Sequence, residues 1–203
     1  MTQRSALRLM GEYYFFSINR VLEGEQQLVE AAKADATRFL PLYEHYFEAI
    51  YRYVYRRVNE KETTHDIVAQ TFTDALEHLK NFEWRGYPFS AWLYKIAHNN
   101  VAKWYRDNHK TGTIDPEDIK DIPAHGPTVG EKVQSVLNKE EIIEALKKLD
   151  SDEQEIVRLK YFEEQHNKDI AKIMHLSPNN IAVKLFRALK KMRHALPDSY
   201  FHP

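Results

Sequence analysis

Long cationic side chains crowd one short stretch of this chain, and their spacing is its most direct offer of chemistry. Between Ser177 and Arg193 stand Lys184, Arg187, Lys190, Lys191 and Arg193. Side chains of that length on a helix can reach phosphates and base edges. Asn179 and Asn180 precede them, and an Asn amide can pair with adenine. A second constellation is Trp84-Arg85-Gly86-Tyr87. Aromatic and guanidinium faces hold unpaired bases by stacking, worth about 1–3 kcal/mol per base. The alternative is a loop folded back onto a core by its aromatics. Further on, Asn99, Lys103 and Arg106 recur at spacings of four and three and could follow a strand, while Trp104 could contact it or pack. A third possibility is metal chemistry. Glu62 with His65, and Glu163 with His166, have the Glu-x-x-His spacing of di-iron helix bundles. Both pairs fall at helix starts or turns and have no matching inward glutamates, so the spacing is read as coincidence. No strand-linked glycine-rich phosphate loop and no nucleophile–base pair stands out. No catalytic residue, metal or cofactor is therefore expected.

The basic stretch needs an element to aim it. Asp169, Ile170, Ala171, Ile173 and Met174 fit one short helix, and His175 and Leu176 a turn. Ser177 is a good N-cap, and Pro178 sits where its missing N–H costs nothing. Ile181, Leu185, Leu189 and Met192 then share one face, with the cations off it. A short helix, a tight turn and a capped basic helix is the form of a DNA-reading helix-turn-helix.

Upstream, Phe39, Leu42, Tyr43, Tyr46, Phe47, Ile50, Val54 and Val58 hold a helical period. Thr63 is a plausible cap for the next helix, which buries Ile67, Val68, Phe72, Ala75, Leu76 and Leu79. After the aromatic loop, a third helix buries Phe89, Trp92, Leu93, Ile96, Ala97 and Val101 and runs to about Asn108. Residues 111–138 lose all period and hold glycines, prolines and carboxylates, which reads as a linker. Helices resume near Lys139, and Ser151 with Gln154 has the spacing of a capping box. The fold class is thus all-α, with two small helical domains at 35–110 and 139–197, a flexible acidic linker at 111–138 and a tail at 198–203. Residues 1–34 form an extension whose role stays open.

The whole-chain charge hides an asymmetry. The chain has 203 residues, 29 of them basic and 30 acidic. From His166 to Arg193, seven cations face Asp169 alone. Segregated charge says more about partners than the sum does. There is no cysteine, which removes disulfides and thiolate metal sites. No stretch approaches the roughly 20 apolar residues that cross a bilayer. Glu12 and Ser17 interrupt the apolar run at the N-terminus, so no signal peptide is expected there.

Taken in order, these motifs resemble bacterial RNA polymerase sigma factors of the extracytoplasmic-function group. Asp66-Ile67-Val68-Ala69-Gln70-Thr71-Phe72 looks like that family's polymerase clamp-binding helix. Phe89-Ser90-Ala91-Trp92-Leu93-Tyr94-Lys95-Ile96-Ala97-His98-Asn99 looks like the start of its promoter-melting, −10-reading helix. Leu149 through Tyr161, followed by Asp169-Ile170-Ala171, resembles its −35-reading domain, with Asn167 as cap of the first helix of the helix-turn-helix.

The resemblance implies a non-enzymatic cytoplasmic factor that binds core RNA polymerase through clamp and flap regions. It would read promoter DNA as duplex and as melted single strand, and an anti-sigma factor is a possible partner. Ser177, Asn179, Asn180, Lys184, Arg187 and Lys191 would then read the −35 element. Trp84, Arg85, Tyr87, Asn99, Lys103 and Arg106 would serve the −10 element and its melting. Asp66, Gln70 and Asp74 would face the polymerase. Two readings compete with this one. The first is a helix-turn-helix regulator that binds duplex DNA without replacing a sigma factor. The second is the di-iron enzyme.

Overall fold

A computed structural model describes residues 22–84, 88–108 and 141–196, and its regular elements are all helical. Arg85, Tyr87, the linker expected at 111–138, the first part of the 1–34 extension and the 198–203 tail lie outside the described residues.

Helix α1 spans Glu25–Ala34, after Gly24 at φ +70°, a left-handed value that glycine takes without a Cβ penalty. Asp35 ends it and accepts from the Thr37 amide at 3.0 Å, which starts a 3₁₀ turn, Ala36–Phe39. Helix α2, Leu40–Val58, follows with Pro41 in its first turn and stops at Asn59, φ 47°. Helix α3 spans Lys61–His78. Its cap is Glu60, not Thr63: the Glu60 carboxylate takes the Glu62 and Thr63 amides at 2.9 and 2.7 Å. Thr63 is one of the donors being capped, so it cannot be the cap.

Helix α4 spans Phe89–Asp107 and follows Pro88, which offers no side-chain acceptor. The acceptor comes from elsewhere. Glu25 of α1 is buried with one oxygen 3.5 Å from the Phe89 amide, and the other takes the Tyr46 hydroxyl. A residue of the N-terminal extension thus closes the start of α4. Tyr46 and Phe89 anchor the core between α1, α2, α3 and α4, with Leu42, Ile50, Phe72, Leu93 and Val101. Leu76 is exposed, and Trp92 and Ile96 are half-buried, so the core is narrower than the sequence pattern suggests.

In the C-terminal part, helix α5 covers residues 141–147 and α6 spans Ser151–Tyr161. The capping box at α6 is Asp150 with Glu153, one residue before the expected Ser151–Gln154 pair. Glu153 N–H donates to Asp150 at 2.8 Å, and Asp150 N–H donates to Glu153 at 3.1 Å. Gln154 is turned inward, where its amide donates to the Leu146 and Leu149 carbonyls. It closes the end of α5 rather than the start of α6. Helix α7, Asn167–Ile173, has His166 at its N-cap with no side-chain bond, and Asn167 is its first residue rather than its cap. Met174 closes α7, and His175 turns the chain at φ 55°. Helix α8 spans Pro178–Ala195.

The two groups of helices pack directly, α4 against α7. Around that contact lies an ionic network that crosses from one group to the other. Glu155 of α6 is buried and pairs with Arg57 of α2 at 2.5 Å and with Arg158 of its own helix. It also accepts the Tyr53 hydroxyl at 2.5 Å and lies 3.3 Å from His98 of α4. Glu163, just beyond α6, takes the Arg56 guanidinium and the Tyr94 hydroxyl, the latter at 2.7 Å. Burial pushes the Glu155 carboxyl up, but Arg57, Arg158 and His98 outweigh it and hold it well below the usual carboxylate range. Burial, then the facing carboxylates, raise the Tyr53 and Tyr94 hydroxyls well above theirs.

Candidate nucleic-acid interface

Helix α8 owes its position to a buried stripe. Ile181, Leu185, Ala188 and Met192 are buried against α6 and α7, which fixes the rotation of the helix. Ser177 caps it by accepting the Asn180 amide at 3.2 Å. Asn179 and Asn180 stand exposed in the first turn, where the helix dipole is positive and polar side chains meet an incoming acceptor.

The cations divide into two sets. Lys184 and Lys191 lie on the flank facing α6. Lys184 bridges Asp152 at 3.0 Å, and that hydrogen bond raises its ammonium above the ordinary lysine value. Lys191 bridges both oxygens of Glu153 at 2.7 and 2.6 Å. Arg187, Lys190 and Arg193 are exposed. The acidic start of α6 therefore holds two of the expected DNA cations in extended poses along one flank. The Lys184–Asp152 pair is at the surface, where such pairs are worth about 0–1 kcal/mol, so phosphate can displace Asp152; Glu153, the partner of Lys191, is buried.

The outermost apolar side chains of α8 are ones the charge pattern passed over. Phe186 is 63% exposed and Val183 is 40% exposed. Placing Ile181, Leu185 and Met192 on a helical wheel already turns Phe186 away from the core. That signal was in the sequence.

On α4, Asn99, Lys103 and Arg106 are exposed at helical spacing on one face. Asn100 beside them is committed inward: its amide donates to Asp74 of α3 at 2.9 Å. Asp74 also accepts from Gln70 at 2.6 Å, so its carboxylate ties α3 to α4. Asp66 and Gln70 are exposed on α3. Trp84 is half-buried, its ring 5.0 Å from Phe82 in a T-shaped contact, with Lys33 of α1 over Phe82. Of the two Glu-x-x-His pairs, Glu62 and His65 are exposed on α3. Glu163 is occupied by Arg56 and Tyr94 while His166 is exposed. Neither pair converges with a second carboxylate, and no group of three or more metal-capable side chains gathers among the described residues. No helix among them is long and apolar enough to cross a membrane.

Two family descriptions match this arrangement. Sigma-70 region 2 matches residues 42–111, and sigma-70 region 4 matches residues 139–192. The chain belongs to the sigma-70 family, in its extracytoplasmic-function group. It is 30% identical to the ECF RNA polymerase sigma factor BldN of Streptomyces coelicolor, over 85% of this chain and 66% of that protein. It is 29% identical to the RNA polymerase sigma factor YlaC of Bacillus subtilis, over 78% of this chain and 91% of that protein. Among solved structures, its fold is similar to CnrH in complex with the cytosolic domain of CnrY. The TM-score is 0.58 at 19% identity, covering 84% of this chain and 96% of that one. It is also similar to the sigma factor RpoE in complex with the anti-sigma factor NepR from Bartonella quintana. There the TM-score is 0.57 at 18% identity, covering 77% and 95%. In this sigma factor the region 2 match begins inside α2, so α1 and its Glu25 cap precede the matched residues.

Proposed function

We propose that this sigma factor binds core RNA polymerase, directs it to promoters with a −10 and a −35 element, and promotes strand opening. The observation that carries this reading is the succession of both sigma regions on one chain, the second ending in a capped, cationic helix. Residues 35–110 act as the clamp-binding and −10 unit, 111–138 as the linker and 139–197 as the −35 unit. Asp66 and Gln70, exposed on α3, meet the clamp, while Asp74 positions α3 against α4. Asn99, Lys103 and Arg106 follow the −10 strand, and Trp84, Arg85 and Tyr87 capture an unstacked base. Asn179, Asn180, Lys184, Arg187 and Lys191 read and grip the −35 duplex, with Ser177 capping the helix that carries them. Bond making belongs to the polymerase, so the factor itself is not an enzyme and works in the cytoplasm. An anti-sigma factor is a fitting partner, as NepR is for the RpoE of Bartonella quintana.

The test adds the purified protein to core polymerase on a library of random promoters. Initiation with a two-element consensus is expected. Duplex binding without initiation would replace this reading with an ordinary helix-turn-helix regulator. Within the assay, Lys184→Ala should weaken −35-dependent initiation, and Trp84→Ala should mainly impair opening.

A further inference from the structure

Helix α1 lies ahead of the residues that match region 2, and it carries a buried carboxylate that reaches the start of α4. Glu25 is 4% exposed. One of its oxygens takes the Tyr46 hydroxyl of α2. The other lies 3.5 Å from the Phe89 amide, the first N–H of α4. We propose that Glu25 is a positioning residue for strand opening. It fixes the start of α4 and, through Phe89, the aromatic support under Trp84, where the duplex is opened. This role rests on the two-element reading given above.

A carboxylate taken out of water is costly unless its lone pairs are filled, and here the two partners come from two different helices. Glu25 thus ties α1, α2 and α4 at one point. Helix α4 needs that tie. Pro88 precedes it without a side-chain acceptor, so its first-turn amides have no local cap. The positive end of a 19-residue helix also faces Glu25, which favours a carboxylate over a neutral side chain of the same size. From Phe89 the tie leads outward. Phe89 is fully buried, with its ring 5.4 Å from that of Phe82. Phe82 in turn holds the Trp84 ring at 5.0 Å and the Trp92 ring at 5.1 Å. Lys33, further along α1, sits over the Phe82 ring at 5.8 Å. Helix α1 therefore touches the supports of Trp84 from two sides, with a carboxylate at Phe89 and an ammonium at Phe82. A functional side chain works only where its supporting shell holds it to within about 0.5 Å. Asn99, Lys103 and Arg106 stand ten or more residues along α4 from Phe89, roughly 15 Å or more away. Glu25 acts on opening, where Trp84 works, and not on the grip of a strand already open.

The test uses the full chain with core polymerase on one promoter selected from the random library, in two forms. One is ordinary duplex; the other has its −10 region pre-opened by mismatches. Permanganate oxidation of unpaired thymines follows opening of the duplex, and transcript yield is read on both templates. Glu25→Gln keeps the size of the side chain but removes its charge and one acceptor oxygen. It should open the duplex about tenfold more slowly, as expected for a lost hydrogen bond to a charged group. The pre-opened template should restore its transcript yield to the parental level. Tyr46→Phe removes only the hydroxyl that orients Glu25 and should show the same pattern at about threefold. Circular dichroism gives the folded fraction, and Tyr46→Phe decides the matter if Glu25→Gln does not fold. Folded variants that open the duplex at the parental rate would overturn the proposal. So would an equal loss on both templates, which would make Glu25 a residue of general stability alone. A parent that initiates on neither template would strike the two-element reading itself, a result distinct from any difference between variant and parent.

Discussion

The two halves of this sigma factor bury different chemistry. The largest fully buried side chains of the N-terminal helices are Tyr46, Tyr53, Tyr94 and Phe89; those of the C-terminal helices are Ile156, Leu159, Ile170 and Ile173. An aliphatic core asks for nothing but shape. A buried tyrosine brings a hydroxyl that must find a partner. Tyr46 finds one within its own half, in Glu25 of α1. Tyr53 and Tyr94 donate across the seam between the two halves, to Glu155 and Glu163, and the Tyr53 hydroxyl also lies 3.3 Å from His98 of its own half. The first half therefore completes the polar bonding of its core tyrosines with groups from the second, and the buried carboxylates of the second, Glu155 and Glu163, in turn take Arg57 and Arg56 of the first. This asymmetry explains why the contact between them is polar at its edges.

The strongest way to break that comparison is to truncate the aromatic core. Phe89 is fully buried and contacts Tyr46, Phe82 and Trp92, so Phe89→Ala should cost about 3–5 kcal/mol. Chemical denaturation followed by circular dichroism measures it. If the halves are as distinct as their cores suggest, the loss falls on the N-terminal helices and α5–α8 keep their own transition. A single uniformly lowered transition would mean that the seam makes the two cores one cooperative unit.

Acid tests the seam itself. Glu155 is depressed, so its contribution is fully present above the ordinary glutamate value and is lost as pH falls through its lower folded value. The groups facing it are Tyr53 and Arg57 from α2, His98 from α4 and Arg158 on α6. The contribution of the seam should therefore persist at neutral pH and fade only below about pH 4, read as a fall in the thermal midpoint of the full chain. A milder loss at higher pH would point to His175, held low by burial and then by Lys95 and His98, because its protonation sets like charges side by side. His175→Gln should remove that component and leave the acid limb in place.

Local and distant causes explain what the sequence could disclose. The periods of α2, α4 and α8 are local, and each helix forms where its apolar spacing puts it. The cationic face of α8 was legible for the same reason. Capping was not, because short-range spacing offers several candidates and the choice is made by packing. Gln154 lost the capping box to Glu153 because the end of α5 claimed its amide. The seam was legible least of all. Little local distinguishes Glu155 or Glu163 from a solvated glutamate, since their partners across the seam stand between 57 and 107 residues earlier in the chain. Glu163 even suggested a metal ligand, through its spacing to His166, while its carboxylate was committed to Arg56 and Tyr94.

The finest contrast lies inside the helix-turn-helix, where α8 is capped and α7 is not. Ser177 satisfies the Asn180 amide, so Ser177→Ala should cost about 1 kcal/mol of C-terminal stability. At α7, His166 occupies the cap position in an extended backbone, φ −75° and ψ 151°, but makes no side-chain bond. That backbone already suits a capping carboxylate. His166→Asp should gain about 0.5–1 kcal/mol, helped by the positive end of the helix and by exposure of the site. Thermal melting of the two variants gives opposite signs if capping decides the difference. Equal and small effects would mean that α7 is held by burial of Ile170 and Ile173 alone, and that its missing cap has no stability consequence.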